Sequence, residues 1–154
     1  MPDTLRPRRL SAPLLFFGAS FLLHLLWENL QAPLYEGFTS FRQHFGVCFR
    51  ATITGDMLFM LTIYAALAVV HRDPLWVANR ETYAHPTTWL IALLIGTLLA
   101  VSFELWAVHV DHRWQYAEAM PLMPIVHVGL TPVLQMLLVP PAVLLLTSRL
   151  SRSL

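Results

Sequence analysis

Five ionisable side chains in this sequence stand where ionisable side chains are expensive: His24, Glu28, Asp56, Glu104 and His127 each interrupt an otherwise apolar run. An ionisable group in hydrocarbon costs a few kcal/mol even on permissive insertion scales, and it usually faces a bundle interior or a water-filled cavity. Three chemical resolutions are open. The acids can stay protonated and hydrogen-bond to one another or to His24 and His127, giving an acid–base site in which Glu28 and Glu104 form the acid/base pair. They can ionise around a cation, with Glu28, Asp56, Glu104 and His127 as ligands of a divalent transition metal such as Mn, Fe or Zn. Or they can line a water-filled cavity open to the outer face. For a bound ligand the candidate contacts are His24, Glu28, Asp56, Glu104, His127 and Gln135. A haem held by His24 and His127 is a variant of the second resolution.

The elements that must position these groups follow from hydropathy. The chain of 154 residues is 56% hydrophobic and 12% charged, with a mean hydropathy of +0.59, whereas soluble domains are about one-quarter charged. Four apolar runs, about 12–31, 51–70, 87–108 and 122–147, each have the ~20-residue length of a membrane-crossing helix. Pro, Gly and charge separate them in "APLYEGF", "HRDPLW" and "HVDHRWQY". The expected fold class is an all-α membrane protein: one integral domain over 1–154, a four-transmembrane-helix bundle whose fourth helix is kinked by Pro132, Pro140 and Pro141. Pro132 should free the carbonyl near Val128 for use by the site.

The start "RPRRLSAPLLFF" reads as a retained first span, because no short apolar core and small-residue cleavage site follow it. All ten cationic residues are Arg. With the N-terminus inside, Arg6, Arg8, Arg9, Arg72, Arg80, Arg149 and Arg152 collect on one side, against Arg42, Arg50 and Arg113 on the other. Both termini are therefore expected in the cytoplasm of a bacterial inner membrane. A net charge of +1, with no basic cluster beyond the N-terminal "RPRR", excludes a nucleic-acid partner. Cys48 is the single cysteine, which rules out an intramolecular disulfide.

This topology puts Glu28, Asp56, Glu104 and His127 at one depth, about 5 to 10 Å below the outer edge of the bilayer. Four-residue spacing aligns Ser20, His24 and Glu28 on the first helix, Thr52 and Asp56 on the second, Gly96, Ala100 and Glu104 on the third, and His127, Thr131 and Gln135 on the fourth. Helices one and three each carry Glu near the outer end and helices two and four carry Asp56 and His127 near their starts, as a duplicated two-helix unit would. His44, His71, His85 and His112 fall in loops and are expected to be solvated. Trp76 is among the aromatic residues near span ends that suit an interfacial belt.

The segments "WENLQAPLY", "TGD" and "YAEAMPLMPIVHVGLTPVLQ" resemble a family of small bacterial four-span inner-membrane proteins. The likeness carries no activity; it implies that Trp27, Glu28, Tyr35, Gly55, Asp56, Pro121, Gly129, Pro132 and Gln135 belong to a common pattern. The step from His24 to Glu28 is also loosely similar to a His-x-x-x-Glu step in the emopamil-binding sterol isomerase superfamily, where intramembrane acids act on a sterol double bond. That second similarity implies a lipophilic ligand.

Function stays open among four readings: a membrane protein that binds a lipophilic ligand or cation, an acid–base isomerase, hydratase or cyclase acting on a lipid or isoprenoid, a metal or haem protein, and a structural or assembly subunit. The partners implied are membrane lipid or a lipophilic small molecule, and other membrane proteins.

Overall fold

In the computed structural model, the backbone of residues 6–150 and the side chains of residues 11–150 are described. The side chains of Arg6, Arg8 and Arg9, and all of Arg152, which entered the orientation argument, lie outside them. The chain is helical throughout its long elements: α1 Arg6–Gln31, α2 Phe41–Ala51, α3 Met57–His71, the short α4 Arg80–Ala84, α5 Pro86–His109 and α6 Leu130–Leu150. A five-residue π turn, Thr52–Asp56, joins α2 to α3 without a break. Four helical stretches are long and apolar enough to cross a membrane: Ser11–Leu34, Phe41–His71, Pro86–His109 and Leu130–Leu150.

Two boundaries differ from the expectation. The second stretch begins at Phe41, ten residues before 51, because Phe41, Phe45 and Cys48 keep an apolar stripe at helical spacing despite Arg42, Gln43 and Arg50. The fourth begins at Leu130 and not at 122. Pro121 and Pro124 disfavour helix in the residues before them, and the segment folds back on itself through Met123 N to Val128 O (2.9 Å) and Leu130 N to Pro121 O (2.7 Å). Pro132 therefore occupies the first turn of α6, where a missing amide leaves no hydrogen bond unmade. It frees no carbonyl, and that of Val128 accepts from Met123.

Helix α6 lies between α1 and α5; α3 packs on α5, and α2 with the π turn packs on α1. In the most apolar stretch of α6 half of the residues (50%) are buried, against 28% in that of α5, the next highest, so α6 is the inner helix of the bundle. The buried stripes run at four-residue spacing: Ala12, Phe16, Ser20 and His24 on α1, and Thr88, Ala92, Gly96, Ala100 and Glu104 on α5. At Gly96 an added Cβ would lie 3.1 Å from the carbonyl oxygen of Met136, so a residue without a side chain sets how closely α5 and α6 approach. Leu22, Leu26 and Leu30 form the opposite, exposed stripe of α1, the face acyl chains would cover.

One end of the bundle is closed by a hydrogen-bonded knot. Trp76 is wholly buried and stacks on His71, whose Nε2 lies 2.9 Å from the Thr88 hydroxyl. His71 and Trp76 were expected in a solvated loop and an interfacial belt; the Thr82 and Thr88 hydroxyls, which donate to the carbonyls of Trp76 and Thr82, draw the connection inward instead. The other end, where α1 and α5 stop and α2 and α6 start, holds the acids.

Candidate functional site

The π turn sets the position of Asp56. Four residues overshoot one α-helical turn by about 40°, so three such steps drift by about 120°. Cys48, Thr52, Asp56 and Met60 are four apart, yet all four are buried. The wider π turn absorbs roughly one residue of that drift and keeps them on one face, and such turns recur at functional sites. Asp56 then faces α1, its Oδ1 3.7 Å from His24 Nδ1.

His24 is wholly buried and Asp56 is buried beside it. A one-way series of hydrogen bonds through side-chain amides defines the imidazole. Trp27 Nε1 donates to Gln31 Oε1 (3.2 Å), and Gln31 Nε2 donates to Glu28 Oε1 (2.7 Å) and to Gln135 Oε1 (3.2 Å). That orientation leaves the Gln135 amide nitrogen facing His24 Nδ1 at 2.9 Å. His24 Nδ1 is the acceptor, so the ring is neutral with its proton on Nε2. The 3.7 Å contact with Asp56 is too long for a hydrogen bond, and with a neutral ring it is a polar pair rather than an ion pair.

Glu104, from α5, is buried and accepts the hydroxyl hydrogen of Tyr116. Tyr116 belongs to the long connection between α5 and α6. This connection is sewn to the end of α1 by an antiparallel bridge between Tyr35 and Tyr116, with Glu36 N donating to Gln115 O (2.9 Å) and Ala117 N to Leu34 O (3.0 Å). Burial, and the bond to Glu104, push the Tyr116 phenol above its ordinary pKa. Burial and the nearby carboxyls do the same to Tyr35. Both phenols are neutral at physiological pH. Gly129 makes room for the Tyr116 ring: a Cβ there would lie 3.0 Å from it and 3.2 Å from Pro132.

Glu28, Asp56, Glu104 and Gln135 line one cavity of about 350 Å³, within the range that holds small ligands. Apolar side chains complete its wall, among them Val47, Cys48, Phe59, Phe103 and Met136. His24 stands behind that wall, tied to it through Gln135. Tyr35, Glu36, His44, Arg113 and Trp114 also border the cavity. Arg113 pairs with Asp111 and lies over the Trp106 ring, 4.5 Å from its centre.

His127 does not join this group. It is exposed, in the connection ahead of α6, with a left-handed backbone (φ 52°). The wholly buried His24 and the exposed His127 do not face a common pocket, so they are not a pair of haem ligands, and the symmetry between Asp56 and His127 that suggested a duplicated unit is lost. Among the described residues no three His, Cys, Asp or Glu side chains are grouped to hold one metal ion. The four-ligand metal site expected from Glu28, Asp56, Glu104 and His127 is not formed. The later start of α6 is what carries His127 out of the group.

Sequence reasoning missed Gln31, Tyr116 and His44. Gln31 had a signal, since it stands three residues after Glu28 and four after Trp27, both helical neighbours. His44 was assigned to a loop because Arg42 and Gln43 flank it. Tyr116 had no local signal, because its contact with Glu104 depends on the path of the connection. The chain matches no protein-family model, no curated protein and no solved structure.

Proposed function

We propose that this chain is a multi-pass protein of the bacterial inner membrane, one domain over 1–154, that binds a small lipophilic molecule in the acid-lined cavity. The polar end of the ligand rests against Glu28, Asp56 and Glu104, and its apolar body against Phe59, Phe103 and Met136. One observation carries this reading: carboxyl groups from three separate helical stretches border a single cavity of about 350 Å³ whose wall also offers a run of apolar side chains, Val47, Phe59, Phe103 and Met136 among them. A purely structural polar layer would close on itself and leave no such space. The arginine distribution supports cytoplasmic termini, which puts the cavity near the outer face, and Pro140 and Pro141 inside α6 support a bend there. Likeness to the four-span family and to the sterol isomerase superfamily agrees with a membrane-embedded site for a lipophile.

The test is mass spectrometry of lipophiles retained by protein purified in bilayer nanodiscs, beside Ala51→Trp, which puts an indole into the cavity from a partly open wall. Retention of a defined lipophile by the wild type and its loss in Ala51→Trp are expected. Equal retention by both overturns the reading.

A second reading, acid–base isomerisation, hydration or cyclisation of a lipid alkene, is favoured by the separate hydrogen-bond partners of Glu28 and Glu104. Gln31 donates to one and Tyr116 to the other, so the two carboxyls can differ in proton affinity and divide acid from base. Glu28→Gln should then abolish turnover of the retained lipophile while leaving it bound; unchanged turnover removes Glu28 from that role.

A further inference from the structure

The end of the bundle away from the acids holds a second depression, of about 290 Å³, lined by Arg80, Tyr83, Ala84, Trp89, Leu145 and Ser148. Three elements build it: α4, the first turn of α5 and the last turns of α6, on which α4 packs. The polar atoms of its rings are already engaged. The Tyr83 hydroxyl donates to the carbonyl of Val77 (2.8 Å) and the Trp89 indole to the carbonyl of Tyr83 (2.9 Å), while the Ser148 hydroxyl donates to the carbonyl of Leu145 (2.8 Å). The rings are thus held in place and present mainly apolar surface.

Arg80 differs from the other liners. It is exposed and forms no ion pair among the described residues. Arg149 directly follows Ser148, and Arg72 ends α3 at the same end of the bundle. Of the nearby acids, Asp73 is engaged by the Leu75 amide, and Glu81, next to Arg80 on α4, forms no ion pair with it among the described residues. The depression therefore joins an unpaired guanidinium to an apolar trough, and Trp89 and Tyr83 mark the depth at which an apolar helix enters a membrane. A guanidinium suits phosphate oxygens, and acidic lipids concentrate basic side chains at a membrane surface. Leu145, 45% exposed, continues the trough along α6 toward the bilayer interior.

We propose that this depression binds one acidic phospholipid, its phosphate on Arg80 and the start of an acyl chain along Trp89 and Leu145. The site is separate from the acid-lined cavity and does not depend on what that cavity holds.

The experiment is native mass spectrometry of the full chain released from nanodiscs of equal phosphatidylglycerol and phosphatidylcholine, with Arg80→Gln and Arg72→Gln beside the wild type and circular dichroism to confirm folding. One phosphatidylglycerol should be retained at least fivefold over phosphatidylcholine. Arg80→Gln should reduce that preference at least threefold, and Arg72→Gln, outside the depression, should leave it intact. Soluble glycerol phosphate should not displace the lipid. Equal retention of the two lipids overturns the proposal, as does an equal effect of both substitutions, which would mean diffuse surface charge. Displacement by glycerol phosphate also overturns it, since the site would then select free phosphate.

Discussion

Gln135 on α6 and His24 on α1 meet with the amide nitrogen 2.9 Å from Nδ1, joining the inner helix of the bundle to the helix that also carries Glu28 and Gln31. The same glutamine accepts from Gln31, so one side chain links the imidazole to the rest of the series that fixes it. Gln135→Leu leaves the buried His24 Nδ1 without its donor and costs the Gln31 amide one of its two acceptors, the other being Glu28. It should destabilise the protein by about 1–3 kcal/mol, read as a lower thermal midpoint in nanodiscs. A double-mutant cycle of Gln31→Leu with Gln135→Leu should show coupling, because the two share a bond.

Tyr116→Phe removes the hydrogen bond that holds the long connection over Glu104. Faster amide exchange is expected at Glu36 and Ala117, the donors of the bridge to α1, with exchange in the core of α5 unchanged. Equal protection in both proteins would show that the bridge alone retains the connection.

The same phenol gives a pH dependence. Its folded-state pKa is raised above the ordinary 10.0, so the stabilisation is fully present below that value and is lost as the pH rises through the folded-state pKa. Stability should therefore decline above the ordinary value, and Tyr116→Phe should make the decline shallower. Equal slopes would remove Tyr116 from the account.

Gly129→Ala tests the seat of the ring. A methyl group 3.0 Å from Tyr116 and 3.2 Å from Pro132 meets two stiff side chains, so the Tyr116 ring should shift and the exchange pattern should copy that of Tyr116→Phe.

Gly96→Val addresses the bundle itself. The branched side chain meets the carbonyl oxygen of Met136 on a neighbouring helix, and overpacking of this kind costs about 1–3 kcal/mol. A thermal midpoint equal to that of the wild type would mean that α5 and α6 can separate freely.

The helical class, the four long apolar stretches and the inward stripes of α1 and α5 were legible because a four-residue period and hydropathy are local properties. Glu28, Asp56, Glu104 and Gln135 were placed by the same reasoning. His127 was misplaced because Val126, Val128 and Leu130 extend the apolar pattern upstream, while the two prolines and Gly129 divert the backbone. Hydropathy does not register that diversion. The part of Tyr116 was hidden for a different reason: its contact joins a connection to a helix through tertiary folding. The neutral state of His24 also required coordinates, since it follows from the direction of bonds that span α1 and α6.

The widened turn at Thr52–Asp56 has an evolutionary reading. It amounts to a one-residue insertion tolerated inside a hydrophobic helix, and excising Thr54 would wind the segment back to ordinary α geometry. Met60, Ile63 and Leu67 would then swing by about 100° relative to Cys48, setting core residues toward lipid or carrying the acid away from His24. The two halves of this helix are phased independently, so selection could tune the acid-bearing end without repacking the other.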